Sequence, residues 1–474
     1  MFARFSGFIF LFIFITTCNC DPSAAIIGLK VPETFLNERP RFTTDSHVFK
    51  ESMPSVATRD DLQRLDRVHT DVVHEIVFVI RQRNMETLTQ MLHDISNPES
   101  PNYGQHLTRE QVTDMTINIE ARDAVQDYLA LSGLVVKDVS SGGEFVVAEA
   151  PISILETFFK TEFYHFEIDS KSGQNPRFVR ADKYSVPSAL DLHVESVLNI
   201  VEVPDDAHIR PILKPKTHSS SGSSSFKTSG YFDRISPARL KAFYNMSSTA
   251  KGSIQSTQVV YASLNQYYSP SDLTAFQTAT TSTISVPTSI GNHANDFVCQ
   301  NYPSNCAEGN LDIQYIMAMS PGSATTFWYS DSGFAGWMLS VLAYTPLPLV
   351  ISISYGLEEI FVTKGESDSF NMIALKLSIM GTTILVSSGD DGANSRNVRG
   401  RKTSFCGYRP IFPASSPYVT AVGATSVCMS LQILTNYDLG SFPFHLLPPH
   451  SPSLPTPPLP VSFIRESKPK QLRL

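Results

Sequence analysis

Glu308 and Asp312 stand four residues apart in the segment Glu308-Gly309-Asn310-Leu311-Asp312, which runs on into Ile313-Gln314-Tyr315-Ile316-Met317. On a helix that spacing puts both carboxylates on one face of the first turns. Two carboxylates held together can share a proton, which poises one of them as a base. The same residues also suit a structural role. Asn305-Cys306-Ala307-Glu308 has the N-x-x-E form of a helix cap, and acids near a helix N-terminus are favoured by its dipole. On spacing alone the capping role leads. A second carboxylate of interest, Asp390, lies in Ile384-Leu385-Val386-Ser387-Ser388-Gly389-Asp390-Asp391-Gly392-Ala393, an apolar strand pattern that ends in a tight Gly/Asp turn. Asp and Gly are favoured in such turns for local reasons as well. A glycosidase pair fits Glu308 and Asp312 poorly, because such carboxylates flank the cleaved bond from opposite sides. No histidine accompanies a serine in a recognisable nucleophile motif, and Ser426 in Gly423-Ala424-Thr425-Ser426 sits at the end of a strand pattern, so it is rejected as a nucleophile.

The elements that must position these groups follow from periodicity. From residue 231 onwards, apolar strand patterns at Gln258 to Leu264, Ala324 to Tyr329, Leu349 to Ser354, Thr382 to Ser387 and Tyr418 to Gly423 alternate with helical patterns at Ser271 to Gln277, Leu311 to Met319 and Phe370 to Ile379. Such alternation predicts a doubly wound parallel α/β sheet, whose sites collect where strands end. Residues 50–204 read differently. His74 to Ile80 is a buried strand pattern, Met85 to Ile95 and Ala121 to Leu131 are helical, Glu144 to Ala148 and Glu162 to Phe166 are strands, and Ile152 to Phe159 is a short helix. Strands interleaved with helices in a small unit predict a split βαβ, ferredoxin-like α+β domain. Between the two units, residues 205–230 hold a Ser/Gly-rich polar run that reads as a flexible linker with an accessible processing site.

With 474 residues, 42% hydrophobic and 17% charged, the chain can bury more than one core. Its net charge of -8, without a basic patch, argues against a nucleic-acid partner. Residues 1–20 place Arg4 before the apolar run Phe8 to Ile15 and then small and polar residues. That pattern predicts a cleaved signal peptide, too short for a membrane anchor. Cleavage there leaves Cys299, Cys306, Cys406 and Cys428 in an oxidising compartment, with Cys299 and Cys306 able to close a short loop and no zinc-like spacing among them. Asn245-Met246-Ser247 is a glycosylation sequon.

Five segments in combination resemble the sedolisin (serine-carboxyl peptidase) family, tripeptidyl-peptidase-like, with its pro-kumamolisin-type activation propeptide. Ser100-Pro101-Asn102-Tyr103-Gly104-Gln105-His106-Leu107-Thr108 is similar to a propeptide motif, and Ile235-Ser236-Pro237-Ala238-Arg239-Leu240 to the start of mature domains. Glu308 to Tyr315 resembles the catalytic helix, E-x-x-L-D-x-Q-Y; Ser388-Gly389-Asp390 with Phe412-Pro413-Ala414-Ser415-Ser416-Pro417-Tyr418-Val419-Thr420 resembles two further motifs. The resemblance implies a Glu308 general base oriented by Asp312, with Asp390 stabilising the oxyanion. It implies an acid-acting zymogen: a ferredoxin-like propeptide at 50–204 that inhibits its own peptidase unit, a subtilisin-like domain at 231–427, and peptide substrates with free N-termini. It places the protein in the secretory pathway, lysosomal or secreted. Leu357 replaces an acid often found after the family's S-Y-G.

The family's nucleophilic serine, in G-T-S-x-S, is absent from residues 1–474, and nine of the 31 prolines crowd between Pro443 and Pro469. The reading is therefore of a C-terminally truncated, incomplete peptidase domain, nearly inactive alone, with a Pro-rich divergent tail at 428–474 that cannot form helix or sheet. The family's calcium site is expected nearer the carboxyl end, so no cofactor is expected in this chain. The alternative is a non-catalytic inhibitor or binding protein that uses residues 50–204 against another peptidase.

Overall fold

The computed structural model describes residues 46–54, 62–168, 177–203, 235–280, 283–390 and 408–423. The predicted signal peptide, the linker at 205–230, Asp391, Cys406, Ser426, Cys428 and the tail at 428–474 lie outside the described residues. The chain is mixed α/β. Its first part carries strands β1 (His47–Ser52), β2 (Leu62–Arg67), β3 (Val73–Ile80), β4 (Val135–Val139), β5 (Phe145–Pro151), β6 (Phe163–Ile168), β7 (Arg177–Ala181), β8 (Lys183–Pro187) and β9 (Val194–Leu198). Helices α1 (Met85–Ser96), α2 (Arg109–Thr116) and α3 (Ile119–Leu131) join β3 to β4, and α4 (Ile152–Phe159) follows β5. The central sheet is antiparallel in the order β4-β5-β3-β9, with smaller sheets β2-β6-β7 and β1-β8. Ile76, Phe78, Val146 and Ala148 alternate along β3 and β5 onto one face, where they meet Phe158 and Phe159 of α4 and Val125 and Leu129 of α3.

The second part carries α5 (Pro237–Phe243), β10 (Thr257–Ala262), α6 (Pro270–Ala279), β11 (Thr288–Ile290), α7 (Asp296–Asn301), α8 (Ala307–Met319), β12 (Ala324–Tyr329), α9 (Gly333–Ala343), β13 (Val350–Ile353), α10 (Lys364–Ile379), β14 (Thr383–Ser387), β15 (Ile411–Phe412) and β16 (Thr420–Val422). Six of these strands form one parallel sheet in the order β11-β12-β10-β13-β14-β16. The strand pattern anticipated from the sequence holds, but α9 was not anticipated. Its sequence, Gly-Phe-Ala-Gly-Trp-Met-Leu-Ser-Val-Leu-Ala, is apolar nearly all round and so shows no helical period. Alternation along β10 sorts the core into two faces: Val260 and Ala262 pack with Ile313 and Met317 of α8, while Val259 and Tyr261 pack with Trp337 of α9 and Ile373 of α10. Helix α8 therefore lies on one face of the sheet, and α9 and α10 on the other.

Helix α10 is shared between the two parts. Val79, Phe145 and Leu198 from the first part join its apolar cluster, and Leu88, Ile95 and Val112 pack on Leu375 and Ile379. The segment before Thr108 is part of this contact: Leu107 N–H donates to Ile379 O at 3.0 Å, and Thr108 and Gln111 form a reciprocal capping box that starts α2. From α2, Arg109 donates to the carbonyls of Leu342 and Tyr344, where α9 ends. At the other end of α10, the backbone N–H of Gly365 donates to Glu51 Oε1 at 2.5 Å. A Cβ on Gly365 would lie 2.6 Å from Ser196 Cβ, so only glycine lets β9 approach this closely.

Lys376, in the last turn of α10, has 1% of its side chain exposed and donates to Glu144 Oε1 at 2.7 Å and Gln82 Oε1 at 2.8 Å. Burial pushes the Lys376 ammonium below its usual range. Burial also works to raise Glu144, but the adjacent ammonium and the Ser140 hydroxyl outweigh it and leave Glu144 below the usual carboxylate range. The sign follows: the Glu144 ion pair stabilises docking above the ordinary glutamate range, and that contribution is lost as pH falls through the depressed folded value. Glu51 works in the opposite sense, because burial raises it and the docked state gains as pH falls. Removing one partner of a buried pair strands the other charge, so Lys376→Met is expected to cost about 3–5 kcal/mol in urea unfolding at neutral pH. Glu144→Leu combined with Lys376→Met should restore most of that loss, and a double variant no more stable than the single would show that the pair is not the source.

Candidate active site

Strands β10, β12, β13 and β14 all point their carboxyl ends to one edge of the parallel sheet, and the candidate residues gather there. Glu308 and Asp312 lie in the first turns of α8. Gly309, Ile313 and Met317 form the stripe of that helix that is buried towards the sheet, so the carboxylates sit beside the buried stripe, each partly exposed. A Cβ at position 309 would stand 2.3 Å from the carbonyl oxygen of Tyr267, so glycine is required for α8 to approach that loop. Asn310 continues the anchoring: its Oδ1 accepts from Ser269 N–H at 2.8 Å and its Nδ2 donates to Asp272 at 3.0 Å, at the start of α6. Tyr315 donates its hydroxyl to Ile235 O at 2.6 Å and so holds the segment that precedes α5.

The capping role that leads on spacing alone is not what the structure shows. Helix α8 begins at Ala307 with Cys306 as its N-cap, and no side chain of the N-x-x-E segment caps it. The backbone N–H of Glu308 is instead bonded to Oε1 of Gln266, at 3.1 Å. Cys306 is disulfide-bonded to Cys299 of α7, which closes the turn leading into the helix. Asn245 is exposed just after α5, with a left-handed backbone.

Burial raises the Glu308 carboxyl, and the charge of Asp390 raises it further. Burial drives Asp312 well above its usual range, Glu308 adds to the effect, and a hydrogen bond from Ser354 Oγ, 2.9 Å from Oδ1, partly offsets it. The Coulomb effects thus run inwards, from Asp390 to Glu308 and from Glu308 to Asp312. Of the two helix carboxyls the outer one ionises first, and the inner one keeps its proton to higher pH. Asp390 is exposed, at the end of β14 after Gly389. It is thus brought to Glu308 across 82 residues of chain.

Ser354 and Tyr355 were not marked by sequence reasoning as site residues. They follow β13 directly, and the Tyr355 phenol is pushed well above its ordinary range by burial and then by Asp312 and Glu308. The available signal was positional: both stand at the carboxyl end of a buried parallel strand. Among the described residues no group of three or more His, Cys, Asp or Glu side chains is placed to hold a metal ion. The arrangement offers a carboxylate base with a protonated neighbour and a third carboxyl nearby.

Gly309→Ala separates packing from propensity. Helix propensity alone would favour alanine by up to ~1 kcal/mol, whereas the approach to Tyr267 predicts a net loss of about 1–3 kcal/mol in thermal or chemical unfolding. Ser354→Ala removes the hydrogen bond that lowers Asp312, so carboxyl NMR should show the Asp312 titration moving further up.

Comparisons with known proteins bear on the chain as a whole. Residues 60–203 match the pro-kumamolisin activation domain. Tripeptidyl-peptidase 1 of Macaca fascicularis is 28% identical over 382 residues, which is 76% of this chain and 63% of that protein. The Homo sapiens protein of the same name is 28% identical over 374 residues with the same coverage. The chain therefore spans 63% of the length of these relatives. The solved structure of Pseudomonas sedolisin, a serine-carboxyl proteinase complexed with two molecules of pseudo-iodotyrostatin, aligns over 40% of this chain and 52% of its own, at 24% identity. Its TM-score of 0.31 does not by itself establish a common fold. The activation-domain match over residues 60–203 and the extended similarity to tripeptidyl-peptidase 1 support reading this chain as a sedolisin-like, tripeptidyl-peptidase-like protein.

Proposed function

We propose that this protein is the zymogen of an acid-acting serine-carboxyl peptidase that releases tripeptides from free amino termini. The observation that carries the reading is the placing of Glu308 and Asp312 in the first turns of α8, at the strand ends, with Asp390 near enough to act on Glu308. In the proposed chemistry Glu308 takes the proton of a serine nucleophile, Asp312 holds Glu308 in orientation and tunes its pKa, and Asp390, when protonated, donates to the oxyanion. A glutamate base suits acid pH, where a histidine with a pKa of about 6.5 would already be protonated. Residues 1–474 contain no G-T-S-x-S segment, and the reading assigns hydrolysis to a product that carries one.

The same reading makes residues 50–204 the activation propeptide, residues 231–427 the peptidase part, and 205–230 the segment cut between them. The sheet order β4-β5-β3-β9 supports a ferredoxin-like propeptide. Docking of that propeptide on α10 supports intramolecular inhibition, released after acidification. Entry into the secretory pathway, glycosylation at Asn245 and a lysosomal or secreted destination belong to the same proposal.

The test begins with the carboxyl-terminal sequence of the natural protein, followed by a peptidase assay of that product on tripeptide-amide substrates at about pH 4. Glu308→Gln is expected to lower kcat by roughly 10²–10⁴-fold, with a smaller effect on KM. A natural product that is inert at acid pH after the propeptide is cut, or a Glu308→Gln variant with full activity, would remove the reading.

A further inference from the structure

We propose that Gln266 is the positioning residue of the Glu308–Asp312 pair. Its side chain is completely buried, and its amide spans the start of α8. Oε1 accepts from the Glu308 N–H at 3.1 Å and Nε2 donates to the carbonyl of Ser304 at 3.1 Å, so one planar group ties the residues on both sides of Cys306 and Ala307. An amide in this position replaces the side-chain cap that α8 lacks.

Two further observations point to the same residue. The backbone just before it is strained: Leu264 and Asn265 are both left-handed, with φ of 60° and 57°. For leucine that conformation is an outlier that the surroundings must hold in place, and it turns the chain so that Gln266 faces the helix. The residue just after it fixes the distance. Tyr267 donates its N–H to Asn305 O at 2.7 Å, and its carbonyl is the group that Gly309 must approach. From outside, the Tyr267 ring stacks on His293 at 4.2 Å, and His293 stacks on Tyr329 of β12, which ties the loop to the sheet. The loop is thus rigid on both sides of Gln266, and the amide transmits that rigidity to the backbone of Glu308. The register of the first turn decides how far Glu308 lies from Asp312 and Asp390, and hence the repulsion that adds to burial in raising the two helix carboxyls.

The inference rests on the proposed function only in treating the pair as catalytic. Its test reads ionisation and backbone exchange, not hydrolysis. Full-length protein carrying ¹³C-labelled Glu and Asp carboxyls is titrated by NMR, and amide exchange is followed by mass spectrometry for Gln266→Leu and Gln266→Glu. For Gln266→Leu the Glu308 amide should exchange at least tenfold faster, and the Glu308 and Asp312 titrations should move towards ordinary carboxyl values, while exchange in β10 and β12 stays as in the wild type. With exchange expressed as protection relative to the intrinsic amide rate at each pH, Gln266→Glu should leave the Ser304–Glu308 segment least protected where the new carboxyl is ionised, because it can then only accept and repels the Ser304 carbonyl, and protection should return once it is protonated and can donate as well. That pH-dependent rescue is a signature that a merely space-filling role would not give. Should Gln266→Leu fail to fold, the Gln266→Glu profile carries the test alone. Unchanged Glu308 and Asp312 titrations in a folded variant, or pH-independent protection in Gln266→Glu, would overturn the proposal whatever the peptidase assay gives, and an inert enzyme with shifted titrations would leave it standing.

Discussion

Two carboxyl groups four residues apart on one helix, both partly withdrawn from water, repel each other whenever both are ionised. On an isolated, solvated helix that repulsion costs only about 0.2–0.5 kcal/mol, but partial burial enlarges it, so the surrounding structure must hold the pair. Gly309 brings the helix against the Tyr267 carbonyl, Asn310 fastens it to the start of α6, and Tyr315 fastens it to the chain at Ile235. Ser354 donates a hydrogen bond to Asp312 from the end of β13. Each of these partners sits at or beside the carboxyl edge of the parallel sheet, so the geometry of the pair depends on that sheet being formed.

The opposite face of the sheet carries a different electrostatic problem. Lys376 is buried on α10 and is neutralised only by Glu144, a residue from the other part of the chain. A buried ion pair is weak evidence for stability but strong evidence for register, because a docking pose that failed to bring Glu144 to Lys376 would leave an ammonium in an apolar contact. Arg109 acts similarly, since its donors are used by the carbonyls at the end of α9. The apolar residues around α10 supply most of the buried area, while these two cations specify which surface meets which.

How much of this was legible in the sequence differs by element for physical reasons. The parallel strands were readable because strands buried on both faces give short continuous apolar runs, as at Val259 to Ala262 in β10. Helix α9 was not, since a sequence that is apolar nearly all round shows no helical period. The strands β1, β2, β7 and β8 were missed because their burial patterns are mixed or mostly exposed, with little alternation to detect. Glu308, Asp312 and Asp390 stood out through motif and spacing. Gln266, Ser354 and Tyr355 did not, because what makes them matter is contact across 42 or more residues of chain, and no local period records that.

The division of labour between the two faces has a mechanical consequence. Residues alternate along β10, so Val259 and Tyr261 serve the docking side and Val260 and Ala262 serve the α8 side. A change in packing at α10 reaches Glu308 only through strands that are held on both sides by parallel neighbours, and close-packed strands transmit displacement poorly unless they have a second arrangement to adopt. Docking on α10 and the ionisation of the α8 pair are therefore separable properties. The first is governed by Glu144 and Lys376, and the second by the contacts that fix the first turn of α8. The acid dependence of each has its own origin: loss of an ion pair on one face, and like-charge repulsion between half-buried carboxyls on the other.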